Sequence, residues 1–119
     1  MPYDVRQSVM DALNACREIQ EYTMGHTLET YHQSSQRVAA VERKFEILGE
    51  AFKRIDAADP SFRAHFSEMG KIIGMRNRLI HGYDVVSDAV VWTAVEKRIP
   101  HLMDKLAEWL EEHSNGDAP

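Results

Sequence analysis

Val38, Val41, Phe45, Leu48, Phe52 and Ile55 recur in steps that alternate strictly between three and four. Only an α-helix brings residues so spaced onto one face, and an apolar seam of that length must be covered by other helices. The seam therefore places the chain among helical bundles before any other residue is considered.

The remaining long segments agree. Val5, Val9, Ala12, Cys16, Ile19 and Tyr22 make a first helical stripe that stops at Gly25, a residue suited to ending a helix. Between the two stripes, 26–35 is polar and predicts a short helical turn and a joint. Asp59-Pro60 reads as an N-cap followed by proline at the first helical position. It opens a third helix with Met69, Ile72, Ile73, Leu79 and Ile80 as its apolar set, running to His81-Gly82. Ser87-Asp88 caps a last helix bearing Val91, Val95, Leu102, Met103, Leu106 and Leu110, and Pro100 must kink or divide it. No stretch alternates as a strand does. The expectation is an all-α, antiparallel four-helix-type bundle with one or two short extra helices. It forms a single domain over 1–113, with a disordered tail at 114–119.

Size and charge narrow the function. A chain of 119 residues holds one core. Its lone cysteine, Cys16, excludes an intrachain disulfide framework and suits a reducing cytoplasm. No apolar run nears the roughly 20 residues of a membrane span, and Met1 to Arg6 lack a signal-peptide layout, so a cytoplasmic location is expected. A net charge of −5 disfavours broad nucleic-acid binding. Yet Arg63, Lys71, Arg76 and Arg78, with His65 and His81, face only Glu68 between positions 63 and 81. A basic face built from them must be small, or completed by a second copy of the chain.

The segment Arg76-Asn77-Arg78-Leu79-Ile80-His81-Gly82-Tyr83 carries the chemistry. Arginine offers a permanent, fork-shaped cation for phosphate, and histidine exchanges protons near neutral pH. Together they suffice for metal-free attack of an RNA 2′-hydroxyl on its neighbouring phosphate. His81 would be general acid or base, Arg76 would hold the phosphate, and Asn77 would orient one of the two. Arg76 and Tyr83 are seven apart and share a stripe, whereas Arg76 and His81 diverge on a continuous helix. Gly82 predicts a helix end that frees the last turn to bring His81 and Tyr83 toward Arg76. The bland alternative is a pair of solvated arginines, a capping histidine and a rim tyrosine. Short patterns of this kind arise readily by chance.

Other residues divide between chemistry and architecture. Glu42, Glu46 and Glu50 line one helix face, and Glu50 and Arg54 stand at a favourable i,i+4 spacing. Beyond a solvated face, Glu46 or Glu50 could meet a basic residue of the motif helix or of a second subunit. Gly49 in mid-helix costs up to about 1 kcal/mol relative to alanine, which close helix–helix approach would offset. Glu29-Thr30-Tyr31-His32 has the Glu-x-x-His spacing of di-iron bundles, but those need two copies and further carboxylates. No metal site is expected. Cys16 and Trp92 and Trp109 read as packing residues.

The Arg76-Asn77-x-x-x-His81-x-Tyr83 motif resembles the signature of HepT-like HEPN toxins, the RNase halves of HepT–MNT toxin–antitoxin pairs. Val41 to Ala51, with its Gly49-Glu50-Ala51, resembles the family's second-helix segment, and Gly74-Met75 and Gly82 fit around the site. Trp92 and Pro100 fall where the family's last helix has them, so the likeness runs from about Asp4 to Leu110. The resemblance implies a HEPN bundle that forms a homodimer or a higher assembly, with two motifs in one cleft. It implies Arg76 and His81 as the catalytic pair with Asn77 as helper; Arg78, Glu46 and Glu50 are the candidate supporting residues around them. It also implies that an MNT-type nucleotidyltransferase antitoxin transfers AMP to Tyr83, using ATP and Mg²⁺ that belong to that partner; the chain itself needs no cofactor. The substrate would be RNA, with a narrow target such as one end of a tRNA fitting the acidic net charge. A non-catalytic HEPN-fold subunit that partners a nucleotidyltransferase is the alternative.

Overall fold

In the computed structural model, which describes residues 5–81 and 86–114, the seam of threes and fours lies on one 24-residue helix. The helices in chain order are α1 (Val5–Thr23), α2 (Leu28–His32), α3 (Ser35–Ala58), α4 (Phe62–His65), α5 (Met69–His81), α6 (Asp88–Lys97) and α7 (Ile99–Ser114). The described residues contain no strand. Five of the six seam residues are fully buried, and Val38 is partly so. They meet the stripe of α1, where Val9, Ala12, Cys16 and Ile19 are fully buried.

Local signals end and start the helices as the residues dictate. Gly25 takes φ +78° just after α1, a left-handed turn that only glycine adopts without strain. Thr27 and Thr30 close a reciprocal capping box on α2. The Ser34 and Ser87 hydroxyls accept from the N–H groups of Arg37 and Val90 at the starts of α3 and α6. Pro100 divides the last helix, α6 ending at Lys97 and α7 starting at Ile99. In that first turn a missing N–H leaves no intrahelical bond unmade.

The third helix begins later than Asp59-Pro60 suggests. Asp59 caps the C-terminus of α3, and its carboxylate accepts from the Ser61 N–H at 3.1 Å and hydroxyl at 2.6 Å. The chain then turns through α4 before α5 starts at Met69. Two buried rings account for the detour. Phe62 packs on Trp109 with centroids 5.5 Å apart, while Phe66 packs on Phe52 at 6.1 Å. The break reverses the chain against α3 while both rings stay in the core.

The long segments α1, α3, α5 and the α6–α7 pair form the bundle, and α2 and α4 are the short extras. Cross-links fix their directions. Arg54 reaches Ser8 and Asp11, Lys44 reaches Glu18, and Arg37 donates to the Tyr22 carbonyl, so α3 runs antiparallel to α1. Asp56 holds Arg63 at one end while Gly49 meets Arg76 further along, so α5 runs antiparallel to α3. α7 packs on α1 and α6. Among the described residues no helix is long and apolar enough to cross a membrane. Apart from Ser114, the last residue of α7, the predicted tail lies outside the described residues.

Candidate active site

Helix α5 faces the core through Met69 and Ile72, with Leu79 partly buried. Arg76 falls on that same inner stripe, where a long cationic side chain would ordinarily collide with α3. Gly49 removes the collision. A Cβ at position 49 would overlap the Cβ of Arg76 and lie 2.6 Å from its Cγ. The arginine stem therefore crosses α3 at Gly49, beside the seam residue Leu48, where no side chain stands in its way. This is the close approach that a glycine in mid-helix demands.

The guanidinium emerges between two polar side chains. Nη1 donates to Asn77 Oδ1 at 2.8 Å, and Nη2 stands 3.9 Å from Glu50 Oε1. The Arg76 side chain is 17% exposed and that of Glu50 36%. At 3.9 Å the carboxylate neutralises charge without a true hydrogen bond, and the buried Arg76 Nε has no acceptor among the described residues. Arg76 is thus held in place while its donors remain incompletely satisfied, a state suited to receiving an anion.

His81 is the last residue of α5 and is exposed. Helix α5 reaches its described end there, as the glycine at 82 suggests, and His81 is still helical. Five residues of continuous helix turn the two side chains roughly 140° apart. Helical spacing alone therefore sets the two positions on different sides of α5. Gly82 and Tyr83 lie outside the described residues.

The supporting residues separate as well. Glu50 reaches the motif helix, whereas Glu46 pairs with Arg43 of its own helix at 3.1 Å. Arg54 does not pair with Glu50; it turns to Ser8 and Asp11 of α1. Arg78 is exposed on the side of α5 that faces α6, beside Lys71. Glu42 is partly buried, and burial, with Asp88 and Glu46 nearby, raises its carboxyl above the usual range. His32 pairs with Asp88 at 2.5 Å, and no cluster of three ligating side chains occurs among the described residues. Cys16 is fully buried, its thiol pushed up to about 12, and Trp92 packs on Tyr31 with centroids 5.2 Å apart. Sequence reasoning did not find the ion pair of Arg98 with Glu68, since a thirty-residue separation leaves no local signal.

The family model described as "Ribonuclease HepT-like" matches residues 12–109. A protein of Caldanaerobacter subterraneus subsp. tengcongensis named "Putative RNase" is 32% identical over 101 residues, covering 83% of this chain and 88% of its own. One of that name from Methanocaldococcus jannaschii is 30% identical over 114 residues, covering 92% and 96%. The "Probable ribonuclease HepT" of Thermococcus cleftensis is 33% identical over 102 residues, covering 80% and 86%. No solved structure matches significantly. The match spans α3, the Gly49–Arg76 crossing and the whole of α5, and the chain belongs to the HepT-like family.

Proposed function

We propose that the chain is an endoribonuclease toxin that cleaves RNA through Arg76 and His81 without a metal of its own. The observation that carries this is the Gly49–Arg76 crossing, which holds a half-buried guanidinium beside Asn77 and Glu50. A structural arginine would be paired off fully, and this one is not. Relatives named as ribonucleases over nearly their whole length support the same reaction class.

In this mechanism His81 takes the proton of a ribose 2′-hydroxyl, and the oxygen attacks the adjacent phosphorus. Arg76 binds the non-bridging oxygens as negative charge builds on them, and Asn77 keeps the guanidinium oriented. The 5′-oxygen leaves and takes up a proton, giving a 2′,3′-cyclic phosphate and a 5′-hydroxyl end. Two copies of the chain share a cleft. Tyr83 is the off-switch: its hydroxyl attacks the α-phosphorus of ATP on an MNT-type nucleotidyltransferase, which supplies the Mg²⁺, and pyrophosphate leaves. The bound AMP adds bulk and negative charge to the motif, and that charge competes with substrate phosphate for its cations.

The test is cleavage of total RNA by the purified chain. Arg76→Ala and His81→Ala should each slow it by about 10²- to 10³-fold, and both should abolish growth arrest on expression without a partner. Wild type that leaves RNA intact, with equal growth for all three, overturns the proposal in favour of a non-catalytic partner subunit. With a nucleotidyltransferase partner and ATP, intact mass should rise by single AMP steps, and not in Tyr83→Phe.

A further inference from the structure

The basic residues between positions 63 and 81 have different fates in the fold. Arg63 is held by Asp56 through two hydrogen bonds, and Arg76 stands against Glu50. The one acid of the stretch, Glu68, is engaged by Arg98. Lys71 and Arg78 remain exposed, and neither has a carboxylate partner among the described residues. Seven residues apart, they lie two turns from each other on one stripe of α5. That stripe forms one wall of a groove of about 420 Å³, whose other wall is α6, with Val90 and Thr93.

The α5 wall includes one residue with no side chain. Gly74 lies midway between the two cations, and a Cβ built there meets nothing within 4 Å. Gly49 has a packing reason within the protein, and Gly70 would meet Arg63 at 3.2 Å; Gly74 has none. A mid-helix glycine with no internal neighbour is a place where something external can come against the backbone. Two unneutralised cations flanking that spot select an extended polyanion, and half-exposed Val90 offers an apolar surface for a base. Gly74 and His81 are themselves seven apart, so the groove opens toward His81 along the same stripe.

We propose that the α5–α6 groove is the track for the RNA strand, Lys71 and Arg78 holding successive phosphates and Gly74 admitting the sugar–phosphate backbone beside the helix. The strand so held is delivered to His81. This rests on the ribonuclease reading and adds a substrate path on the face of α5 turned away from Arg76.

The test is binding of a fluorescent single-stranded RNA with 2′-O-methyl riboses, which cannot be cut, alongside cleavage of the unmodified strand. Lys71→Glu and Arg78→Glu should each weaken binding about tenfold. Neutralising both in Lys71→Gln with Arg78→Gln should flatten the slope of log Kd against log salt by about 1.4, the counterion release of two single-strand phosphate contacts. Gly74→Leu should weaken binding at least about fivefold with no change of charge, by filling the groove beside α5. Arg17→Glu, an exposed cation on α1, controls for net charge and should bind as wild type. Helicity and melting of each variant confirm that it is folded.

Groove variants that bind and cut like wild type overturn the track while leaving the nuclease standing. Groove-dependent binding by a wild type that never cuts upholds the track and overturns the nuclease. Variants that change the sedimenting mass but not the RNA affinity show a contact between copies of the chain, and that also overturns the track.

Discussion

Gly49 and Gly74 are both glycines inside helices, and their surroundings give the same substitution opposite signs. At position 74 a methyl group enters open space. Gly74→Ala then gains helix propensity and restricts the unfolded chain, stabilising the fold by about 1 kcal/mol. Thermal melting should show a rise of about 4 °C. At position 49 the same methyl overlaps the stem of Arg76, whose Cβ is fixed to the α5 backbone and cannot swing aside. Helices α3 and α5 must part, and overpacking of this kind costs about 1–3 kcal/mol, more than the propensity gain. Gly49→Ala should lower the melting temperature by several degrees and reduce RNA cleavage, because the guanidinium moves with its helix. A melting temperature unchanged or raised in Gly49→Ala would show that the two helices do not depend on this crossing.

Helix α3 carries a second consequence in its acidic ladder. Glu42, Glu46 and Glu50 stand four apart, and each has a different outlet. Glu50 faces Arg76 and Glu46 faces Arg43, but burial, Asp88 and Glu46 all act on Glu42 in the same direction, raising its carboxyl. A carboxyl whose pKa is higher folded than unfolded makes the native state bind more protons, so stability falls as pH rises between the two values. The penalty is complete above the folded value and absent below the unfolded one, near 4.3. Glu42→Gln should therefore melt higher than wild type at pH 7, and the two curves should converge as pH approaches about 4. A gap that stays constant with pH would place the effect elsewhere. Asp56 shows the opposite sign: its hydrogen bond from Arg63 lowers its carboxyl, so that contribution is lost only in acid. At this scale the sequence is readable where the signal is local. The 3–4 seam, the Ser34 and Ser87 caps, Gly25 and the division at Pro100 all lie within a turn or two of what they control. The start of α5 was not readable, because Phe62 and Phe66 choose partners on α7 and α3 that no local window contains. The candidate site was half legible: Gly49 announced a close approach, but only the antiparallel pairing of α3 with α5 shows that the approaching residue is Arg76.

For the molecule as a whole, the unbroken run of α5 through His81 poses the main question. Arg76 points into the α3 face and His81 emerges roughly 140° away around the helix. Helical spacing sets the two positions apart within one chain, and its net charge of −5 gives no general attraction to draw RNA in. The proposed two-fold dimer would answer both, since a symmetric interface can set Arg76 of one copy beside His81 of the other and pool two small basic faces. Mixing the inactive variants tests this directly. In a heterodimer of Arg76→Ala with His81→Ala, one composite site keeps both groups and the other loses both. Random re-association of equal amounts makes about half the dimers mixed, each with one of two sites intact, so activity should return to about a quarter of wild type. Sites confined within single chains would leave the mixture as inactive as its parts. Sedimentation of the same mixture must show dimers that exchange, so that silence in the assay means separate sites and not separate molecules.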